Sequence, residues 1–169
     1  MLETANLILD KAKFSDWKAM YDHVWSQPDC AKYMAWNITT SEEAAKIRME
    51  KTIAFQRCHD TYLVYEKASG TAIGFAGIER ISANIYQEAG ICLGPNYIRK
   101  GFGKEILQGL IHHCKKEFGA KEFIYSTRAD NDASNKLANS LGFAIIASES
   151  KIDERNGQYY ELLKYSLKL

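Results

Sequence analysis

Two glycines and three basic side chains lie together between residues 99 and 104, just before a helix with an apolar face. The segment is Arg99-Lys100-Gly101-Phe102-Gly103-Lys104. Glycine lets the backbone turn tightly and approach a ligand closely. The first amides of the following helix have no partner within it, and the helix dipole is positive at that end. We therefore expect an anion site that suits a pyrophosphate, whose charge would also balance the basic side chains.

Two other phosphate-binding loops are excluded by residue spacing. A Walker loop requires a glycine five residues before Gly103 and a serine or threonine after the lysine, whereas Ile98 and Glu105 stand at those positions. A dinucleotide-binding fingerprint requires a third glycine at position 106, where Ile106 stands. A turn that uses its glycines for shape alone, without a ligand, remains open from these residues.

A second candidate segment follows the next predicted strand. It is Ala129-Asp130-Asn131-Asp132-Ala133-Ser134. Asn131 or Asp132 suits a helix N-cap, and Gly142 suits the end of that helix. Alone, these capping residues are typical of many helices. They become more specific evidence for a ligand-binding site when combined with the glycine segment.

The composition of the chain restricts the classes of function. The 169 residues carry 22 basic and 21 acidic side chains, a formal charge of +1, and 46% are apolar. These values are typical of a globular chain. Proteins that bind nucleic acid usually carry a basic excess, so we expect no nucleic-acid partner.

The sequence also predicts where the protein works. No apolar stretch reaches the roughly 20 residues that span a bilayer, and the N-terminus lacks the pattern of a secretory signal. The four cysteines are scattered without a Cys-x-x-Cys pair, so we interpret them as free packing thiols and expect no metal site. The prediction is a cytoplasmic protein with no membrane association.

Apolar spacing predicts the elements that position the candidate segments. Strands are expected at 7–9, 61–65, 71–78, 89–93, 122–127, 143–147 and 159–167. Helices are expected to follow a Ser15 cap and a Thr40 cap with Glu43 in a capping box, and to cover 102–118 and 132–141. Strand–helix–strand crossovers imply local parallel pairing. We therefore predict one α+β domain, residues 1–169, with a mixed sheet.

The pair of segments resembles the GNAT acetyltransferases, particularly the branch of ribosomal-protein N-terminal acetyltransferases. The opening Leu7-Ile8-Leu9 strand, the Tyr33-Met34-Ala35-Trp36 segment before a capped helix and the order of elements are similar too. The resemblance thus covers essentially the whole chain. It implies a GNAT-like α+β fold, whose central twisted sheet is mixed and mostly antiparallel, with about seven strands and about four flanking helices.

The resemblance implies acetyl-coenzyme A as cosubstrate and assigns residues to it. The pyrophosphate would be held by main-chain amides of Arg99, Lys100, Gly101, Phe102, Gly103 and Lys104. The pantetheine arm would run along the strand at Ile91, Cys92 and Leu93. Asn131 and Ser134 would meet its other side.

The chain departs from the family pattern at two positions. Ile98 stands where the family prefers glutamine or arginine, which removes one side-chain contact and leaves the backbone cradle. Ala138 stands where many members carry a tyrosine that protonates the leaving thiolate. The ribosomal branch often has serine at the position of Ser134, for which the same role has been proposed.

The implied reaction is direct attack of a neutral amine on the thioester. At pH 7, deprotonation costs an α-amine about 1.4 kcal/mol and a lysine amine about 4.6 kcal/mol. Glu79 and Glu88, at the ends of neighbouring predicted strands, are the candidate general bases, with Glu88 favoured slightly. Exposed strand-edge carboxylates without a catalytic role are the alternative for both.

Other side chains are candidates for lesser roles. Ser134 could hydrogen-bond the thiolate, or could simply stand in the first turn of a helix. Tyr33 and Trp36 lie outside a clear helix and are candidates to bind the acceptor, whereas Trp17 has the spacing of a core residue.

Three functions remain as hypotheses. The first is a cytoplasmic N-acetyltransferase that uses acetyl-coenzyme A and a primary amine, either a protein N-terminus or a small molecule. The second is a catalytically silent acetyl-coenzyme A-binding or regulatory module, since the tyrosine is absent at Ala138. The third is a phosphate-ligand binder unrelated to acyl transfer. We expect a monomer or a homodimer.

Overall fold

One sheet of eight strands forms the centre of the molecule in a computed structural model that describes residues 1–169. Its order is β1-β2-β3-β4-β5-β6-β8-β7, and every neighbouring pair is antiparallel except β5 and β6. The strands are β1 (Leu2–Glu3), β2 (Leu7–Asp10), β3 (Thr61–Glu66), β4 (Ala72–Ser82), β5 (Ile85–Leu93), β6 (Glu122–Arg128), β7 (Ala144–Ile152) and β8 (Tyr159–Lys168).

Five α-helices flank this sheet. They are α1 (Trp17–Met20), α2 (Pro28–Ala31), α3 (Glu42–Gln56), α4 (Phe102–Phe118) and α5 (Asp132–Ser140). The predicted mixed, mostly antiparallel α+β fold is confirmed. The counts exceed the expected seven strands and four helices because the two-residue β1 and the four-residue α2 are too short to leave a periodic signal.

Two of the predicted N-caps are wrong. Ser15 lies inside a 3-10 turn (Phe14–Asp16) whose N-cap is Lys13, and Asp16 Oδ2 accepts the Lys13 N–H at 2.7 Å as in a capping box. The next helix starts after Ser41, not Thr40, because Ser41 Oγ accepts the Ala44 N–H at 3.1 Å. The first helical segment also changes character along its length, since a π-helical turn (Tyr21–Trp25) follows α1.

Helix α4 follows the predicted pattern closely. Its apolar stripe is fully buried, with Ile106, Leu107, Leu110 and Cys114 all at 0% exposure. Gly119 ends the helix in the left-handed region at φ 65°, where glycine carries no Cβ penalty. The buried stripe therefore packs the helix against one face of the sheet and leaves its N-terminus accessible to a ligand.

The sheet separates two apolar clusters. The first joins α4 and α5 to the strands and includes Leu7, Val64, Phe123 and Tyr165. The second lies under the α1 and α3 helices and includes Met20, Trp25, Met49 and Leu63. The helices that cover the two faces thus pack on different sides of the same strands.

Strands β5 and β6 diverge, and this divergence positions the candidate site. Their parallel pairing covers only Ile85–Gln87 against Glu122–Ile124. Beyond it, β5 stays paired with β4 as far as Leu93, with a shift of register where Gly90 adopts φ 96°. Alternate main-chain groups of a strand point to opposite neighbours, so half of those in this stretch face the gap. The gap is therefore lined by unpaired strand backbone.

Candidate active site between strands β5 and β6

The glycine segment presents a continuous row of free amides. None of the main-chain N–H groups from Arg99 to Lys104 donates a hydrogen bond within the protein. The first amide to do so belongs to Glu105, which donates to Gly101 O at 3.1 Å. Unpaired donors at a helix N-terminus attract anions through both their hydrogens and the helix dipole. The row is therefore a ready anion site.

The two glycines of this segment have different structural reasons for being glycine. Gly101 has φ 83°, and no atom lies within 4 Å of a Cβ placed there, so backbone conformation rather than crowding requires glycine. Gly103 has an ordinary φ, and an added Cβ would only touch Leu137 at 3.9 Å. The fold itself therefore does not require glycine at position 103, as expected if a ligand approaches there.

The side chains of the segment are divided between solvent and core. Arg99, Lys100 and Lys104 are exposed, and Lys100 Nζ lies 3.9 Å from Glu66 Oε1. Phe102 is buried in the first apolar cluster, so only its amide can face a ligand. Burial of Phe102 anchors the turn that carries the free amides.

Glu105 holds the start of α4 against the N-terminal strands. Its carboxylate accepts hydrogen bonds from Thr4 Oγ1 at 2.5 Å, Asn6 N at 2.6 Å and Asn6 Nδ2 at 2.9 Å. These donors outweigh the opposing effect of burial and hold the pKa of this carboxyl below its usual value. The residue that replaces the Walker serine or threonine is thus structural.

A cavity of about 230 Å³ occupies the gap between β5 and β6. It brings together side chains predicted from three separate segments, namely Tyr33, Glu88 with Ile91, and Asn131 with Ser134. Tyr125 of β6, which the sequence did not single out, also lines it. The cavity joins the predicted coenzyme-binding strand to the favoured general base.

Glu88 has the electrostatic character that a general base needs. Burial raises the pKa of its carboxyl to about 7, against a lesser opposing effect from the amides of Gly90 and Ser126. Gly90 N donates to Glu88 Oε2 at 2.6 Å. Ser126 belongs to β6, so the carboxylate reaches across the gap where the strands separate. A carboxyl with this pKa exchanges a proton near neutral pH.

Ser134 stands in the first turn of α5, on the opposite wall. Asn131 caps this helix, and its Oδ1 accepts the Ser134 N–H at 3.3 Å. Of the two predicted candidates, Asn131 is therefore the N-cap, and the Ser134 hydroxyl takes no part in the capping bond. Tyr125, close to Ser134, has its pKa raised to about 12 by burial and keeps its proton at neutral pH.

The six residues of the glycine segment, 99–104, do not line this cavity, and four further predicted residues also lie outside it. Glu79 is exposed and accepts a hydrogen bond from Gln87 Nε2 at 2.8 Å. Trp36 lines a different cavity under α3. The Cys92 side chain is buried in the second apolar cluster, and Leu93 packs against the first, so these two can offer a ligand only main-chain groups.

The loop of residues 33–35 forms one wall of the cavity, its roof, and a clamp from the β7–β8 hairpin holds this loop. Arg155 Nη1 donates to Ala31 O at 2.7 Å and to Trp36 O at 3.2 Å, at either end of the loop that carries Tyr33. Asp153 accepts from both Arg155 Nη2 and Arg128 Nη2 at 2.6 Å. Sequence reasoning missed all three charged residues, since no motif marks them.

Asn135 is a further residue that the sequence did not indicate. Its Nδ2 donates to Arg128 O, Ala129 O and Asn131 O at 2.9–3.1 Å, and its Oδ1 accepts from Tyr165 Oη at 2.8 Å. These bonds fix the β6–α5 connection that carries Asn131 and Ser134. An asparagine one helical turn after an N-cap is the only local signal.

Comparison with known proteins identifies the fold. A family model, the acetyltransferase (GNAT) domain, matches residues 6–144. An uncharacterized N-acetyltransferase, YnaD of Bacillus subtilis, is 22% identical over 166 residues, which cover 98% of this chain and 95% of that protein.

Solved structures agree. A Salmonella typhimurium acetyltransferase that modifies the N-terminal serine of a 50S ribosomal subunit protein superposes with a TM-score of 0.79, at 21% identity, over 98% of this chain and 96% of that one. The microcin self-immunity acetyltransferase MccE, in complex with acetyl-CoA and AMP, gives 0.83 at 19% identity over 98% and 93%. The chain therefore belongs to the GNAT acetyltransferase family, which confirms the prediction of an acetyl-coenzyme A-dependent N-acetyltransferase that followed from the family resemblance of its two segments and its order of elements.

Proposed function

We propose that this chain transfers the acetyl group of acetyl-coenzyme A to a primary amine by direct attack in a ternary complex, with the pyrophosphate held at residues 99–104. The observation that carries the proposal is the row of unpaired amides from Arg99 to Lys104 at the start of α4. A pyrophosphate needs several convergent donors and positive charge. Arg99 and Lys104, both exposed, add that charge.

The gap between β5 and β6 suits an extended arm. Main-chain groups of Ile91, Cys92 and Leu93 on the open side of β5 would pair with the amides of pantetheine as a further strand would. An amide of the same stretch would donate to the thioester carbonyl, which stabilises the negative charge that develops on its oxygen. Asn131 and Ser134 form the opposite wall.

Glu88 is assigned as the general base. The amine attacks the thioester carbonyl carbon, the carbon–sulfur bond breaks, and the proton released from the amine passes to the Glu88 carboxylate, directly or through one water. With a pKa of about 7, about half of this carboxyl is ionised at neutral pH. Glu79 is exposed and does not line the cavity, and both facts favour Glu88 as the base.

Ser134 is assigned to the leaving thiolate. A thiol of pKa near 8.5 leaves without a strong acid, so one hydrogen bond from a hydroxyl is sufficient help. This modest demand is compatible with Ala138, which is fully buried at the position of the absent tyrosine.

Tyr33 is assigned to the acceptor, which is a primary amine. Tyr33, whose Oη donates to Asp130 O at 3.2 Å, stands at the cavity roof, where an acceptor would enter. We assign the protein to the cytoplasm, where its four free cysteines stay reduced, and expect a monomer or a homodimer. No helix is long and apolar enough to cross a membrane.

Release of free thiol from acetyl-coenzyme A tests the proposal. The full chain is incubated with the coenzyme and a panel of amines that includes N-terminal peptides, polyamines, amino sugars and aromatic amines. We expect acceptor-dependent release with at least one class. Tight coenzyme binding without release on any acceptor would instead establish the silent module, and a stronger thermal shift with ATP than with acetyl-coenzyme A would contradict the assignment of the loop.

A further inference from the structure

A second and larger cavity lies on the other face of the sheet, under helix α3. Its volume is about 340 Å³, and most of its lining side chains are apolar or aromatic. Met20, Trp25, Trp36 and Phe75 form its inner walls, and the exposed Phe55 and Lys51 stand at its rim. None of the residues of the glycine segment contributes to it. The cavity is large enough for a small organic molecule.

Arg48 brings a positive charge into this apolar space. Its guanidinium carbon lies 4.4 Å from the ring centre of Trp36 and 4.8 Å from that of Trp25. It donates one hydrogen bond, from Nη1 to Thr39 Oγ1 at 3.0 Å, out of five N–H groups. Burial lowers its pKa to about 10, and no carboxylate contributes to that value. The two indole faces stabilise this cation only in part, and it has no anionic partner.

Two further polar groups in the cavity wall lack partners. Trp36 Nε1 and Thr61 Oγ1 are buried without any hydrogen bond. An indole N–H can only donate, and a hydroxyl can donate as well. Buried polar groups in native proteins are normally paired, so two unpaired donors in the wall of a cavity that also holds a cation without an anionic partner indicate a ligand with acceptor oxygens.

The two cavities share their dividing walls. Ala89 of β5 lines the α3 cavity, whereas its neighbours Glu88 and Gly90 line the gap that holds the proposed base. Likewise Trp36 lines the α3 cavity, whereas Tyr33, Met34 and Ala35 line the gap. Strand β5 and the loop of residues 33–36 thus form the wall between the two cavities.

We propose that the α3 cavity holds the non-reacting part of the acceptor, and that this part is a flat apolar group with an anionic substituent that pairs with Arg48. The inference rests on the proposed function, and it narrows the acceptor from any primary amine to a small amine of this class. The aromatic walls receive the flat group, and the Trp36 and Thr61 donors supplement the guanidinium.

Binding is tested without turnover through the two tryptophans of the cavity. Fluorescence of the full chain is titrated with 4-(aminomethyl)benzoate and 4-(2-aminoethyl)benzoate, and with the neutral amide of each. We expect at least one carboxylate to bind about tenfold or more tightly than its amide, because hydrogen bonds to charged groups are the stronger ones. Arg48→Met should abolish that preference, whereas Arg57→Met, an exposed arginine just beyond α3, should keep it.

Thiol release then separates this inference from the proposed function. We expect Arg48→Met to raise KM for the preferred carboxylate about tenfold with kcat retained, and to leave the neutral amides unchanged. Equal use of carboxylates and amides, or an unchanged KM in Arg48→Met, overturns the inference while transfer itself stands. Carboxylate binding with no release from any amine overturns both, since the occupant would then be an effector and not an acceptor.

Discussion

At the residue scale, Glu88 is the cavity side chain whose pKa burial shifts toward the value that suits a general base. Its pKa of about 7 lies well above the usual carboxyl value because burial disfavours the charged form. We expect kcat/KM to rise with pH through about 7 and then to level off. Glu88→Gln should remove this limb and lower kcat/KM at pH 8 by about a hundredfold.

Thiol release measured from pH 5.5 to 9 checks this expectation, with Glu79→Gln as the competing variant. Loss of the limb in Glu79→Gln and its persistence in Glu88→Gln would contradict the assignment. Stability provides a second readout. A carboxyl whose pKa is raised by folding destabilises the native state as pH rises from about 4.5 to 7, so Glu88→Gln should unfold at a higher temperature than the wild type at pH 8.

For Ser134 we predict only a small effect on catalysis. Its amide is already held by Asn131, so Ser134→Ala removes the hydroxyl and leaves the cap in place. A thiolate of low basicity needs little assistance, and we expect kcat to fall less than tenfold with KM for acetyl-coenzyme A almost unchanged. Steady-state kinetics decide the matter. A loss of a hundredfold or more would make this hydroxyl a decisive proton donor, contrary to our assignment.

At the element scale, the two ends of helix α4 provide a matched pair of glycine positions for testing the proposed coenzyme loop, one inside that loop and one outside it. Gly101 and Gly119 stand at its two ends, both with positive φ (83° and 65°) and both with open space where a Cβ would lie. Valine at either position should cost a similar amount of stability, about 1–2 kcal/mol, since a left-handed conformation is strained for it. Only Gly101→Val displaces the free amides, so only this variant should weaken coenzyme binding, by at least tenfold in calorimetry. Equal affinity in the two variants would show that the loop does not hold the pyrophosphate.

The elements that the sequence predicted well are those with regular apolar spacing. Helix α4 has such spacing, and its stripe of Ile106, Leu107 and Leu110 is fully buried. The α3 start was misplaced by one residue because Thr40 and Ser41 are both good caps and only the fold decides between them. Strand β5 begins at Ile85, not Ala89, since a tight turn through Asn84 at φ 61° joins it directly to β4.

In the candidate site, too, the residues that could be predicted are those marked by nearby sequence, and the residues that were missed depend on contacts between distant parts of the chain. The free amides were predicted because glycine spacing is a local feature. Glu88 was singled out as the start of a strand, but it lies inside β5, one residue beyond the end of the pairing with β6. Arg155 was not predicted, because its bonds to Ala31 and Trp36 join residues 124 and 119 positions apart in the chain. Arg48 was missed for a related reason, since only the packed structure brings it against Trp25 and Trp36.

At the scale of the whole molecule, Asp153 of the C-terminal hairpin accepts hydrogen bonds from Arg128, which lines the candidate-site cavity, and from Arg155, which holds the loop at its roof. Hydrogen bonds from Arg155 and Arg128 hold the pKa of this carboxyl well below its usual value. A depressed carboxyl pKa stabilises the fold above the unfolded value near 4 and loses that effect as the pH falls through the folded value. The clamp should therefore be intact at neutral pH and fail in acid.

Asp153→Asn tests this view of the clamp. The variant leaves two arginines without their shared anion, so we expect a lower Tm at pH 7 and a flatter dependence of Tm on pH between 5 and 2. Glu149→Gln is the matched control, because Glu149 also has a depressed pKa, of about 2, yet lies in exposed pairs with Lys151 and Lys164. Exposed pairs contribute little, so its Tm should hardly change. If both variants behave alike, the roof does not depend on Asp153, and the loop that carries Tyr33 must be held in place by its other contacts.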